Sequence, residues 1–381
     1  MPPAGFEFVD LFGRLVRPRD GSISEQGFRR FHPSDGYSHR RPHWDIRVAR
    51  ILHRDRSSLR FEVRTGGVTA VPELAAIVGL RRRTGAILDV MVAADIPDGT
   101  NKIIEFRNLL SPRRLTDVVD VGANPIEGKP PYTPMLAAGL CRVTGFEPQQ
   151  KALLDLQTKK GPNERYLPYA AGDGDAHTLN ICLASGMTSL LEPDPATLGL
   201  FAGFTRWGEV IERVPVQTRR LDDISEIEHL DYLKIDIQGG ELAVFKGGKA
   251  KLTEAVAVQT EISFVALYKN QPGLGDIDLE LRSQGFLPHC FAEIKLWPIA
   301  PSGYNIPRQA LNQLLEADIV YVRDFAHADS MSDEQLKHLA LIAHHCYRSF
   351  DLALRCVMLL EQRQALEPRT QQRYLDILAI E

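Results

Sequence analysis

Between Leu230 and Glu241 the chain reads Leu-Asp-Tyr-Leu-Lys-Ile-Asp-Ile-Gln-Gly-Gly-Glu, and no other stretch narrows the fold so far. Leu233, Ile235 and Ile237 recur at strand spacing, with the ionisable Lys234 and Asp236 between them. Gly239 and Gly240 then turn the chain into a helical pattern from Glu241 to Gly248. A carboxylate at the C-terminal end of a buried parallel strand lies where open α/β sheets bind their ligands. Alone, Asp236 could equally well cap the turn that follows it.

Three upstream segments end in the same way. Thr116 to Asn124 leads through small and apolar residues to Asp120 and then Gly122, where the backbone must turn sharply or admit a ligand. Arg142 to Pro148 closes a strand on Glu147, with Pro148 expected in the first turn of a helix. Tyr166 to Asp173 is a further strand ending in an acid. An acid at the end of the second strand is the usual partner of ribose hydroxyls in nucleotide-binding α/β folds, because a carboxylate accepts from both the 2′- and 3′-OH. The ordered set therefore predicts an α/β nucleotide-binding sheet.

The segments Asp120–Asn124, Gly145–Pro148, Ala171–Asp173, Leu221–Asp223, Leu233–Glu241 and Thr260–Phe264 come in the order found in FkbM-type methyltransferases, which the chain resembles over about residues 112–325. The resemblance implies a Rossmann-like class I methyltransferase sheet, mostly parallel and seven-stranded, and S-adenosylmethionine as cofactor. It implies a methyl acceptor that is a hydroxyl of a sugar, glycan or related small molecule. Residue by residue, Asp120, Gly122 and Asn124 resemble the loop under the methionine part of the cofactor, Glu147 the ribose-binding acid, and Asp173 the group near the adenine amine. Lys234, Asp236 and Glu241 match the strand-four signature. One departure stands out: family members place a glycine two residues after the Gly-Ala-Asn triplet, whereas here it is displaced to Gly128, and Pro125, Pro130 and Pro131 stiffen the loop. Asn124, preceding a proline, is biased to an extended conformation.

In such a sheet strands four and five are neighbours, so Asp236 and Glu261 should lie side by side near the methyl group. Either can act as general base, or the two can hold a divalent cation; no further ligand set is evident, and metal-independent catalysis is expected. Lys234 falls on the same side as Asp236 and is placed to keep it ionised.

Two other classes share parts of the pattern. A nicotinamide-dependent oxidoreductase would also carry an acid like Glu147, but Gly122 and Gly128 are wrongly spaced for G-x-G-x-x-G. A non-catalytic scaffold on a degenerate methyltransferase fold would explain the altered loop, and retention of every acidic strand end counts against it. The net charge of −4 argues against a general nucleic-acid binder. Cys141, Cys182, Cys290, Cys346 and Cys356 are scattered, without a Cys-x-x-Cys pair, which fits a reducing compartment and no zinc site. No apolar run approaches a membrane span and no signal-like segment opens the chain, so a cytoplasmic location is expected.

Three regions follow: an Arg-rich extension of mixed α/β character over 1–112, the methyltransferase domain over 113–325, and a helix pair over 326–381. In the extension, Ile46 to Val63 alternates like strands and Val71 to Ala94 reads as mixed helix and strand; its arginines are interleaved with acids, as on a solvated surface. Phe201, Phe204 and Trp207 mark an insertion between the nucleotide half and strand four, able to stack on a sugar or to pin the insertion to the core. In the tail, Ser330 or Ser332 can cap a helix with Leu336, Leu339, Ile342 and Ala343 on one face, and a second helix runs near Asp351–Leu360. The pair resembles a single tetratricopeptide-type hairpin, which cannot bury its own face and must dock on the main domain, a second copy or a partner protein. His344-His345-Cys346 lacks the spacing of a metal site.

Overall fold

The computed structural model describes residues 99–125, 128–300 and 312–380, with strand segments β1 (Phe6–Val9), β2 (Ile46–Arg54), β3 (Leu59–Thr65), β4 (Gly79–Arg82) and β5 (Ile87–Leu88) before them. The chain divides into two compact units, Met1–Gly99 and Thr100–Glu381. In the first, β2 and β3 pair antiparallel, as the alternation of Ile46–Val63 predicts, and β1, β4 and β5 form a separate antiparallel sheet. Of the segment Val71–Ala94, only β4 and β5 fall within the described residues.

The second unit starts earlier than the sequence suggests, with helix α1 (Gly99–Leu110). Phe106 and Leu110 of α1 are fully buried in the core of this unit, which moves the division from about residue 112 to residue 99.

Seven strands form its central sheet. In chain order they are β6 (Thr116–Val121), β7 (Cys141–Phe146), β8 (Glu164–Leu167), β12 (Tyr232–Ile235), β13 (Ala257–Ser263), β14 (Phe286–Leu296) and β15 (Leu314–Arg323). In space they run β14-β15-β13-β12-β6-β7-β8. The five strands from β13 to β8 are parallel, and β15 is inserted antiparallel between β13 and β14. This is the class I methyltransferase order, and it reverses direction between β6 and β12. At such a switch point loops diverge above the strand ends and leave a crevice.

Period-two alternation decides which side chains face which layer. Val119, Val121, Leu233 and Ile235 enter one core cluster, under α6 (Glu241–Gly247), α7 (Lys249–Leu252) and α8 (Leu274–Ser283). Val118, Tyr232, Ala257, Val320 and Val322 face the other cluster, which α1, α2 (Thr133–Ala137), α9 (Asp333–Tyr347), α10 (Phe350–Gln362) and α11 (Thr370–Ile380) cover. α3 (Gln150–Lys159) packs beside β8, with Leu153 against Tyr166.

The tail is thus three helices and a layer of the fold. Ser332, and not Ser330, caps α9 in a reciprocal box with Gln335, while Ser330 Oγ donates to the His327 carbonyl. Arg348 in the left-handed region ends the helix. Leu336, Leu339 and Ile342 are at most 1% exposed, so the apolar stripe is covered by the chain's own sheet. His344 bonds Tyr374 Oη through Nδ1 at 3.0 Å, and burial followed by the His344 charge pushes His345 down to about 3. Among the described residues, no three His, Cys, Asp or Glu side chains meet as a metal-ligand group, and no helix is long and apolar enough to cross a membrane.

Candidate active site

Register brings the polar groups together. Lys234 on β12 is aligned with Asp120 on β6 and with Gln259 on β13, and Glu261 on β13 faces Asp318 on β15. All lie on the face that the tail helices cover lower down; at the C-terminal end of the strands that face becomes polar and opens into a cavity of about 230 Å³. Asp120 is 1% exposed; Tyr132 Oη donates to its Oδ2 at 2.6 Å and Lys234 Nζ lies 3.6 Å from its Oδ1. Burial raises the Asp120 carboxyl, against the opposing pull of Lys234 and Tyr132. Burial would lower Lys234, yet Asp120 and then Asp236 hold it above its ordinary value, so it stays charged.

The turn after β6 has no room for a side chain. Gly122 has φ +79°, and a Cβ there would sit 2.1 Å from the Asp236 carbonyl oxygen. Its N–H and that of Ala123 both donate to the Phe146 carbonyl. Asn124 and the displaced Gly128 line the cavity beyond it. At the tip of β7, Glu147 Oε1 accepts from Gln149 N at 2.8 Å, and its other oxygen has no partner among the described residues. Burial raises this carboxyl. Pro148 precedes the helix cap at Gln149 instead of opening the first turn of α3.

Asp173 is elsewhere. The strand expected at Tyr166–Asp173 divides into β8 and the two-residue β9 (Ala170–Ala171), and β9 leaves the main sheet to pair with β11 (Val210–Arg219), itself antiparallel to β10 (Ala176–Cys182). Asp173 Oδ1 takes His177 Nε2, Asp175 N and Thr218 Oγ1 at 2.8–3.1 Å, in a separate hollow that also holds Arg220 and Lys246. The main cavity is lined at this end by Tyr169, Ala170 and Ala171 instead.

Asp236 and Glu261 do come together, through a residue that strand periodicity passes over. Gln238 Nε2 lies 3.0 Å from Asp236 Oδ1 and 2.8 Å from Glu261 Oε2. Gln238 adopts φ +59°, rare outside glycine, and that conformation turns its side chain back across the strand ends. Its position directly before Gly239-Gly240 was the available signal. Glu261 Oε1 pairs with Lys295 Nζ at 2.9 Å, so both of its oxygens are engaged. Burial, reinforced by Asp236 and Glu316 and opposed by Lys295, raises Glu261 well above the usual carboxylate range. Asp236 Oδ2 has no hydrogen-bond partner among the described residues, and Asp236 lines the cavity. Glu241 serves the turn itself: its Oε1 accepts from Ile237 N at 3.0 Å and Gly239 N at 3.2 Å.

Residues 120–288 match the methyltransferase FkbM domain. The match spans 169 of the chain's 381 residues. Among curated proteins, the chain is 31% identical over 144 residues to the 2-O-methyltransferase NoeI of Sinorhizobium fredii (strain NBRC 101917 / NGR234), an alignment covering 33% of this chain. The chain spans 55% of the length of that relative. Solved structures similar to it include the magnesium protoporphyrin IX methyltransferase of Synechocystis PCC 6803 with bound SAM, at 11% identity and TM-score 0.29, covering 60% of this chain and 78% of that one. The precorrin-6y C5,15-methyltransferase of Geobacter metallireducens GS-15 is similar at 10% identity and TM-score 0.29, covering 58% and 87%. At these scores neither likeness bears on ligand or mechanism.

The residues of the cleft fit S-adenosylmethionine. A bare glycine turn at Gly122 lets a ligand approach the backbone, Glu147 offers an open oxygen for ribose hydroxyls, and buried Asp120 keeps an Oδ1 without a hydrogen-bond partner among the described residues. On the far side the turn after β10 closes the cavity, with Ser185, Gly186, Thr188 and Ser189 lining the wall. Phe204 of α5 (Phe204–Trp207), which follows α4 (Pro195–Leu198), packs against Trp207 and Trp297 with ring centroids 5.1–5.3 Å apart. These aromatics pin the insertion to the core and do not line the cavity.

Proposed function

We propose that the chain transfers a methyl group from S-adenosylmethionine to a hydroxyl of a sugar, glycan or related small molecule, with Asp236 as general base. The observation that carries this reading is one cavity lined both by Glu147, with an open oxygen at the tip of β7, and by Asp236, with an open oxygen at the tip of β12. Similarity to NoeI, a 2-O-methyltransferase, supports an oxygen acceptor. So do the hydroxyl and amide groups of Ser185, Thr188, Ser189, Gln238 and Gln259 in the cavity wall, which suit a polyhydroxylated molecule.

When bound, the cofactor supplies a methyl group on a positively charged sulfur. Asp236 Oδ2 accepts the hydroxyl proton as the acceptor oxygen bonds the methyl carbon and the carbon–sulfur bond breaks, leaving neutral S-adenosylhomocysteine. Glu261 has no open oxygen for that task and positions Asp236 through Gln238. Lys234 balances the charge of Asp120 and Asp236. The 185–189 wall holds the acceptor over the strand ends and limits water.

Titrating S-adenosylmethionine and NADH separately by calorimetry tests the cofactor, and labelled methyl transfer to a saccharide panel tests the acceptor. Asp236→Asn should lower turnover about a hundredfold or more with cofactor affinity little changed. If Asp236→Asn and Glu261→Gln lose only cofactor binding, the base assignment fails; tight binding of NADH alone would sink the whole reading.

A further inference from the structure

We propose that Gln238 is a positioning residue whose side-chain amide takes the place a divalent cation would hold between Asp236 and Glu261, making the pair a cation-free base. The inference rests on the methyltransferase reading of the site. Two carboxylates on adjacent strand ends can bridge a metal ion or be bridged by a hydrogen-bond donor, and here the bridging position holds an NH₂ group. Gln238 Nε2 is 3.0 Å from Asp236 Oδ1 and 2.8 Å from Glu261 Oε2. The amide orientation follows from the carboxylates, whose oxygens accept and so take the NH₂ group, which leaves Oε1 facing Tyr268 Oη at 3.2 Å. A cation between the acids would meet the amide hydrogens and would have to expel the side chain.

Expulsion is resisted on several sides. The Gln238 backbone carbonyl accepts from Ser189 Oγ at 2.7 Å, and Tyr268 Oη shares its one hydrogen between Gln238 Oε1 and the Met187 carbonyl, 3.0 Å away. These contacts tie the residue to the turn that walls the cavity. Glu261 Oε1 already holds the Lys295 ammonium at 2.9 Å. The donors therefore occupy Asp236 Oδ1 and both Glu261 oxygens, and they fix the Asp236 carboxylate with Oδ2 as its open atom. Gln238 thus decides which oxygen meets the acceptor and removes the need for a metal at the pair.

Mn²⁺ is the probe, titrated by electron paramagnetic resonance into the full chain saturated with S-adenosylhomocysteine. The wild type should show no site at Asp236, whereas Gln238→Glu, adding a third carboxylate, should bind Mn²⁺ at least about tenfold more tightly. Gln238→Ala, which only vacates the position, should gain in the same direction, and adding Asp236→Asn should abolish either gain. Micromolar Mn²⁺ binding by the wild type that disappears in Asp236→Asn would overturn the proposal, as would the absence of any gain in both Gln238 variants. S-adenosylhomocysteine affinity measured on the same samples separates the two readings: failure to bind it sinks the methyltransferase reading, while the Mn²⁺ comparison still reports on the amide.

Discussion

Gly122→Ala tests the close approach on which the site depends. The new Cβ would lie 2.1 Å from the Asp236 carbonyl oxygen and 3.1 Å from Ile237 Cγ2, so the exit of β12 must move. A left-handed backbone costs a non-glycine residue about 1–2 kcal/mol, and forced overpacking adds about 1–3 kcal/mol. The 2.1 Å contact is with backbone, which cannot swing aside, so the expected loss is near the top of that range, roughly 4–5 kcal/mol. Gly139→Ala is the internal control. Gly139 has φ +69°, and a Cβ there meets nothing within 4 Å, so it should lose only the backbone share of about 1–2 kcal/mol. Urea denaturation of both variants, with S-adenosylhomocysteine calorimetry on each, measures the difference. Gly122→Ala should also weaken the ligand about tenfold or more, because the displaced strand end carries Asp236 into the cavity wall. Equal destabilisation by the two substitutions would refute the reasoning.

Glu147→Ala should weaken S-adenosylmethionine by tenfold to a hundredfold, the loss of a charge-assisted pair of about 1.5–3 kcal/mol; unchanged affinity by calorimetry would remove Glu147 from the nucleotide site. Burial pushes the Glu241 carboxyl from 4.5 up to about 7, so its proton is held more tightly in the folded state, and the group costs nothing at pH values where both states are protonated. Stability should therefore be lost as pH rises from 4.5 through 7, by on the order of 3 kcal/mol at most, and Glu241→Gln should flatten that part of the denaturation profile. Truncation before Ser330 removes Leu336, Leu339, Ile342 and Leu360, each buried and each contributing about 1.5–3 kcal/mol, a sum comparable to the whole stability of a domain. The product should be insoluble or unfolded by circular dichroism, and a soluble, cooperatively melting truncation would show that the helices are no layer of the core.

The strand ends were legible because their signals are local. Alternation at Thr116–Val121 and Tyr232–Ile235, a glycine or proline just beyond, and an acid at the tip can each be read within ten residues. Asp120, Glu147 and Asp236 accordingly reach one cavity, as that pattern predicts. Asp173 carries the same local pattern and does not, because β9 pairs with β11 and leaves the sheet, a choice made by residues 48 positions further along the chain. The role of Tyr132 is illegible in the sequence for a similar reason: a tyrosine in a proline-rich loop says nothing of the buried carboxylate it bonds.

The sequence by itself determined the element types, the order of strands along the chain and the acids at their ends, since hydrophobic period and turn chemistry act between near neighbours. Only the tertiary structure decided the rest. Register set Asp120, Lys234 and Gln259 in a row, and the left-handed turn of Gln238 joined Asp236 to Glu261. Packing made the C-terminal helices a layer of the domain, because their apolar stripe had a matching sheet face to cover. These outcomes depend on which surfaces meet across the fold, and that meeting is fixed by burial and pairing between residues far apart in the chain.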